Sequence, residues 1–347
     1  MSVDVEGGPE AKPHQRAITH EAARLNRHID SEYGRASSSD VVAMDGVSKS
    51  FGDTTILEGL TLHVPAGEIY GLIGPSGCGK TTAIRLLLGV LAPSAGNVTV
   101  LGVPPAGFTA HQREQIGYTP QGFYLYPTLT VQENARFVAA LYGVPWLRRR
   151  RRVKSVLQFL ELWEARGRLA RDISGGMQRR LALACALMHD PRLLFVDEPT
   201  AGLDPVLREK IWEHLRRLRD EGRTIVVTTQ YIDEAVYCDT VAVMNEGRIA
   251  AIGTPDELRR RALGGEMLEV ESEQLLSRED VVALWQLDGV QSVDRQTDRT
   301  LKLMVEDVTT ATPAVARLLT ERGHEVTAVR PSVPSFDEVF LAIVGRR

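Results

Sequence analysis

The chain has 347 residues, 43% hydrophobic and 25% charged, with a formal net charge of −4. That length allows two domains or one large domain with an appendage, and the slightly acidic balance speaks against a nucleic-acid binder, whose footprint would be basic. Three scattered cysteines, Cys78, Cys185 and Cys238, without C-x-x-C spacing, fit a reducing cytoplasm rather than a disulfide framework or zinc site.

Residues 1–40 stay polar, show no apolar signal region and end in the linker-like cluster Ala36-Ser37-Ser38-Ser39-Asp40. They read as an extension, in which a short amphipathic helix over 16–33 competes with a frayed polar tail. From residue 41 the texture changes to short β-rich runs at 41–47, 56–64 and 68–73. The last of these feeds Gly74-Pro75-Ser76-Gly77-Cys78-Gly79-Lys80-Thr81, and the segment 81–91 behind it has helical length, closed by Pro93. Gly96-Asn97 carries turn chemistry ahead of a strand at 98–101.

Residues 129–187 are expected to be mainly helical, with Val153, Val156, Leu157 and Leu160 at three- and four-residue spacing. Arginine fills every position from 148 to 152. Such a run is usually a solvated helix face; the sharper reading is contact with anionic lipid or with an acidic loop of a partner. Strand–helix alternation resumes at Leu193-Leu194-Phe195-Val196, which ends in Asp197-Glu198. Strands at 224–229 and 240–244 and the turn Glu246-Gly247 follow. The pattern is a parallel α/β core with a helical insert and antiparallel flanks.

Over the last eighty or so residues, apolar alternation recurs at 267–270, 290–293, 301–305 and 326–329, with helical segments at 281–287 and 313–319. In the second of these helices, Thr312 suits the cap and Pro313 the first helical position. The order is β-α-β-β-α-β, a small α+β domain, closed by an amphipathic helix at 334–341. No stretch of the chain approaches the ~20 apolar residues of a membrane helix, so any pore would belong to another chain.

Gly74-x-x-x-x-Gly79-Lys80-Thr81 follows a strand and opens a helix, the context of a phosphate-binding loop. Its backbone amides form a nest for anionic oxygens, Lys80 should reach the outer phosphates, and Thr81 should ligate Mg²⁺. Alone, Asp197-Glu198 would be a solvated strand end. Downstream of a phosphate loop, Asp197 becomes a second Mg²⁺ ligand and Glu198 the group that polarises the attacking water. Between loop and acids lies Ser174-Gly175-Gly176-Met177-Gln178. Its adjacent glycines let amides approach an anion closely, and Ser174 adds a hydroxyl at a helix start.

Loop, acids and the Ser-Gly-Gly run together resemble the ATP-binding cassette (ABC) ATPases over residues 41–262. The variant Ser-Gly-Gly-Met-Gln-Arg-Arg-Leu is similar to that of daunorubicin- and multidrug-type exporters. The resemblance implies a P-loop NTPase core, a mostly parallel sheet with helical and antiparallel subdomains, using ATP and Mg²⁺. It implies nucleotide contacts along Gly74, Pro75, Ser76, Gly77, Cys78, Gly79, Lys80, Thr81 and Thr82. Phe51 would stack on adenine, although a Phe beside a strand is also ordinary core. Gln121 would be the glutamine-loop residue at the metal and water, and Asp204, in Gly202-Leu203-Asp204, would lie in a loop crossing a dimer interface. Ser174, Gly175, Gly176 and Gln178 would act on ATP held by the opposite subunit of a head-to-tail dimer, a homodimer by default.

One departure concerns the position after strand 224–229, where the family places histidine and this chain has Gln230, an amide that can donate a hydrogen bond but cannot shuttle a proton. Slower turnover with intact ATP binding is therefore expected. The domain reading is an extension at 1–40, the ATPase at 41–262 and an accessory domain at 263–347. As an ATPase (ATP and water to ADP and phosphate), the subunit would energise export of a drug or lipid-like substrate through a separate permease at the cytoplasmic face of the membrane. The alternatives are a soluble cassette working on ribosomes or DNA, and a regulatory subunit with slow hydrolysis.

Overall fold

The computed structural model of the chain describes residues 40–122 and 125–345; the expected extension, with its helix over 16–33, lies outside the described residues. After Pro255 the described chain divides into two compact units.

Strands β1 (Asp40–Phe51), β2 (Thr54–Pro65), β3 (Ile69–Ile73) and β4 (Ala95–Val100) come first. β1 and β2 form a hairpin across Gly52-Asp53, with Gly52 at φ 57°, and pair with β4 in the antiparallel order β2-β1-β4. Gly96 lies inside β4 rather than in a turn ahead of it. A Cβ there would stand 2.4 Å from the Gly46 carbonyl oxygen, so the glycine answers a close approach of β1 where the pairing slips between Asp45 and Ser48. The helix behind the loop is also shorter than expected. It runs Lys80–Leu87 and stops short of 91 because Gly89, at φ 70°, turns the chain.

The second sheet takes β5 (Ile116–Thr119), β6 (Leu193–Asp197), β7 (Thr224–Thr229), β8 (Thr240–Asn245) and β9 (Arg248–Gly253) in the order β5-β6-β7-β3-β8-β9. All pairings are parallel except β8 with β9, which the left-handed pair Glu246-Gly247 joins. Every residue of β3, β6 and β7 is buried, as expected of central parallel strands covered on both faces. The order β6-β7-β3 sets the carboxyl ends of these three strands side by side, the usual place for a ligand in an open α/β sheet.

The insert between β5 and β6 carries helices Val131–Leu141, Trp146–Phe159 and Gly175–Ala186. Thr130 and Glu133 form a capping box at the first. Val131, Ala135 and Ala139, one turn apart, are its buried stripe.

In the C-terminal unit, β10 (Glu266–Ser272), β11 (Val290–Arg295), β12 (Thr300–Val305) and β13 (Val326–Ser332) form an antiparallel sheet in the order β11-β12-β10-β13. With helices Arg278–Trp285 and Val308–Glu321 between them, this is the split βαβ arrangement. Leu268, Val270, Leu301, Leu303 and Val305 of the sheet pack with Leu284, Val315 and Leu319 of the helices, each contributing about 1.5–3 kcal/mol. Pro313 does not start the second helix; it lies inside it. Asp307 accepts from the Thr309 amide at 2.7 Å and Glu266 from the Val308 amide at 2.8 Å. These bonds and the stripe Ala311, Val315, Leu319 move the start five residues upstream, at the cost of one backbone hydrogen bond at the proline. Asp280 joins the ends of the two helices: its carboxylate meets Arg322 at 2.6 Å and His324 at 2.9 Å. Burial raises its pKa, but the bonds from Arg322 and from Ser277, with His324 beside it, outweigh that and hold the carboxyl well below the usual range. The closing helix is Phe336–Val344, with Phe336 and Val339 buried.

Candidate nucleotide site

The loop after β3 owes its path to glycine at three positions. Gly77 and Gly79 have φ of 82° and 103°, open to glycine at little strain. At Gly74 a Cβ would lie 2.2 Å from the Met244 carbonyl oxygen of neighbouring β8. The loop is tied down by Gly74 N–H to the Thr229 carbonyl at 3.3 Å and Gly247 N–H to the Cys78 carbonyl at 3.2 Å. Cys78 is buried, and burial raises its thiol pKa against the opposing pull of Lys80. It is a packing group, not a thiolate. Thr82 follows in the first turn of helix Lys80–Leu87, while Pro75, Ser76 and Gly77 face solvent.

Lys80, 4% exposed, donates to the carbonyls of Gly74 at 2.8 Å and Pro75 at 3.0 Å, and its Nζ stands 3.8 Å from Glu198 Oε1. Thr81 Oγ1 donates to Asp197 Oδ1 at 3.3 Å. Asp197 Oδ1 also accepts from Thr228 Oγ1 of β7, whereas Asp197 Oδ2 is buried without a hydrogen-bond partner among the described residues. A buried bare carboxylate oxygen beside a threonine hydroxyl is costly. It is also the hard oxygen set that a small divalent cation takes.

Glu198 occupies the left-handed region at φ 47°, which costs a non-glycine residue roughly 1–2 kcal/mol. Its amide donates to Thr228, to the carbonyl at 3.0 Å and Oγ1 at 3.1 Å. Its carboxylate turns to Gln121, whose Nε2 donates to Oε2 at 2.6 Å. Backbone strain of this kind clusters at active sites and ligand clamps. Thr81, Asp197 and Gln121, with Arg85, Tyr118, Pro120 and Gly122, line an open cleft of about 450 Å³. Gln230, just after β7, accepts from Ser76 Oγ at 2.5 Å through its side-chain oxygen, a bond that leaves the donor capacity of its amide NH₂ unused.

The other expected residues lie outside this cluster. Phe51 ends β1, 49% exposed, with the Lys49 ammonium 4.9 Å from its ring centroid; it is a surface ring and not core. Ser174 accepts from the Met177 amide at 3.3 Å as N-cap of helix Gly175–Ala186. Gln178 Nε2 donates to its own chain's Ala170 carbonyl at 3.0 Å. Asp204 Oδ1 accepts from the Leu207 amide at 3.1 Å and caps helix Pro205–Asp220. Gly176 is buried, and a Cβ there would stand 2.7 Å from Leu207 Cδ1. Gly175 is exposed, lacks a positive φ, and has nothing among the described residues within 4 Å of a Cβ.

Sequence reasoning passed over Thr228, Arg179 and Tyr231. Thr228 holds both acids because β6 and β7 pair Asp197 with Thr228, a register that no local pattern displays. Arg179 donates to the Gln121 carbonyl; its burial lowers the guanidinium pKa and Glu198 opposes that shift. The Tyr231 ring lies 3.7 Å from the Arg208 guanidinium carbon. The four-residue spacing from Arg208 to Asp204 offered no hint of it.

Residues 57–201 match the family model described as ABC transporter, and residues 253–344 match that of the ATP-binding protein DrrA1-3-like, C-terminal domain. The daunorubicin/doxorubicin resistance ATP-binding protein DrrA of Streptomyces peucetius is 38% identical over 88% of this chain and 92% of its own length. The Nod factor export ATP-binding protein I of Paraburkholderia xenovorans is 37% identical over 88% and 97%. Among solved structures, a dimeric post-hydrolysis ATP-binding cassette bound to ADP and Pi superposes with a TM-score of 0.57 at 28% identity, over 61% of this chain and 98% of that one.

Proposed function

This chain belongs to the ATP-binding subunits of ABC transporters and is an ATPase, and we propose that it drives export of a drug or lipid-like molecule through a separately encoded permease, from the cytoplasmic face of the membrane. The names of the Streptomyces and Paraburkholderia relatives, drug resistance and Nod factor export, support the direction and the substrate class. The two-domain reading, an ATPase followed by an accessory C-terminal domain, belongs to the same proposal.

In this reading Lys80 exchanges its carbonyl partners Gly74 and Pro75 for phosphate oxygens. Thr81 and Asp197, with Gln121, would hold a magnesium ion, which would supply charge to neutralise the phosphates. The bare Asp197 Oδ2 is the oxygen that fits it. Glu198 takes the proton of the attacking water once Gln121 releases it from their 2.6 Å bond. Gln230 would donate its amide to a phosphate oxygen but carry no proton across, so slower turnover is expected than with a histidine there. Phe51 stacks on adenine.

The single observation that carries the reading is Gly175: the described residues give no steric or backbone reason for glycine there. With Ser174, Gly176 and Gln178 it forms a helix N-terminus suited to phosphate, and Asp204 marks the facing loop, so that a second copy of the chain would complete each site. Within the basic run at 148–152, the exposed Arg148, Arg150 and Arg151 also offer the membrane a surface for anionic lipid.

The test is ATPase rate against chain concentration, with and without a co-expressed permease recovered by co-purification. Activity should rise steeply with concentration and further with the permease. Constant specific activity across the range would overturn the shared site.

A further inference from the structure

We infer that the tip of the hairpin between helices Val131–Leu141 and Trp146–Phe159 is a docking surface for an anionic phospholipid bilayer. The inference rests on the membrane setting given by the transporter reading and deepens it by naming the surface.

The tip is well defined. Gly143 turns at φ 70°, Val144 N–H returns to the Ala139 carbonyl at 2.9 Å, and Arg149 Nη2 donates to the Val144 carbonyl at 3.0 Å. On this braced turn the large apolar side chains are outside: Leu141 is 71% exposed, Trp146 76% and Leu147 72%. Trp146 stands two turns ahead of buried Val153, on the side of the helix that faces the core further along. Helical periodicity would bury it, but the core has run out at the tip.

The arginines beside it divide in two. Arg149 and Arg152 are used internally, Arg152 donating to the Leu187 carbonyl at 2.6 Å and to Asp190 at 2.9 Å. Arg148, Arg150 and Arg151 are exposed and make no ion pair or side-chain hydrogen bond among the described residues. They crowd the first turns of their helix, where the macrodipole disfavours positive charge, and nearby like charges repel. A local arrangement that opposes the helix and has no compensation among the described residues points to a partner beyond them.

That partner has to accept three guanidinium groups and a tryptophan with leucines at one place. Leu147 shares a helix face with Arg150 and Arg151, and Trp146 with Arg150. Anionic headgroups attract arginine near the surface, and tryptophan settles at the headgroup level with its ring half in the apolar boundary. An acidic loop of a protein would answer the charge but leave Leu141, Trp146 and Leu147 in water.

The test is flotation of the full-length chain with vesicles of phosphatidylcholine, alone or mixed with phosphatidylglycerol. The wild-type chain should partition onto the anionic vesicles in a salt-sensitive way. Arg148→Glu, Arg150→Glu and Arg151→Glu combined should lower partitioning by on the order of a hundredfold. Trp146→Ala with Leu147→Ala should lower it by about tenfold or more, keeping the preference for anionic vesicles. ATP binding, measured in parallel, reports that the variants are folded. Wild-type chain that floats with neither vesicle, or variants that float like wild type, would overturn the inference. So would a triple variant that keeps its vesicle binding but loses permease recovery in detergent, which would assign the patch to an acidic protein surface. Loss of permease-stimulated ATPase with vesicle binding intact would count against the transporter reading alone.

Discussion

The phosphate loop and the Ser174 run are both glycine-rich entries to a helix, and the chain accounts for them very differently. Around the loop nearly every feature has an intrachain cause: φ 103° at Gly79, a 2.2 Å conflict at Gly74, and carbonyls on Lys80. At the Ser174 run only half is explained. Ser174 caps its helix and Gly176 makes room for Leu207, but Gly175 answers nothing among the described residues. A glycine that the fold does not require marks a place where something else comes close.

The most severe way to probe this difference is on the loop side. Glu198→Gln should lower turnover by about 10²–10⁴-fold while ATP binding persists, measured as phosphate release beside nucleotide binding. Hydrolysis that survives would place the base elsewhere in the cleft.

Gly175→Ala tests the other side of the comparison. Because the position has helical room, melting temperature should hold or rise, by up to about 1 kcal/mol in stability. ATPase should nonetheless fall by roughly 10–100-fold, since small misplacements at a reacting group are that costly. A variant with full activity would mean the glycine is incidental, and the contrast between the regions would vanish.

Gln230 lies against the loop through Ser76, and Gln230→His should raise turnover, by about tenfold if proton handling limits the rate. Flat or falling turnover at saturating ATP would sink the idea that this position restrains hydrolysis.

The smallest effect is expected at the start of β3, the strand that ends in the loop. Burial, with Asp239 and Asp40 nearby and despite a bond from Thr240, raises Glu68 from 4.5 to about 7. The folded chain therefore favours the neutral acid. That contribution to stability is complete below about pH 4.5 and lost as pH climbs towards 7. Glu68→Gln should accordingly stabilise the chain at pH 8, by about 1 kcal/mol once solvent screening is allowed for, and change little at pH 4. Thermal melts at the two pH values measure it; equal shifts at both would show that the side chain's charge does not matter.

Much of the site was legible because its chemistry is local in sequence. The loop pattern fixes Lys80 and Thr81 on a helix start, and an apolar strand ending in Asp197-Glu198 puts both acids at a strand end. The elements misread were those governed by neighbours distant in sequence. Pro313 suited a helix start until the Glu266 carboxylate and the Leu319 stripe drew that start upstream. Gly96-Asn97 suited a turn until β1 was laid against it. Thr228 had no signal of its own, since its role exists only through the pairing of β7 with β6.

By itself the sequence determined the class of chemistry, that of an ATPase, from a phosphate-loop pattern, a lysine and a pair of acids. These depend on spacings of a few residues, and the chain's local geometry enforces such spacings. Only the tertiary structure decided which side chains the chain satisfies internally and which it leaves available. Asp197 Oδ2 stays bare, Gly175 faces outward, and Trp146 with three arginines stands beyond the end of the core. Each of these is a remainder after packing, and a remainder is known only when every neighbour has been placed.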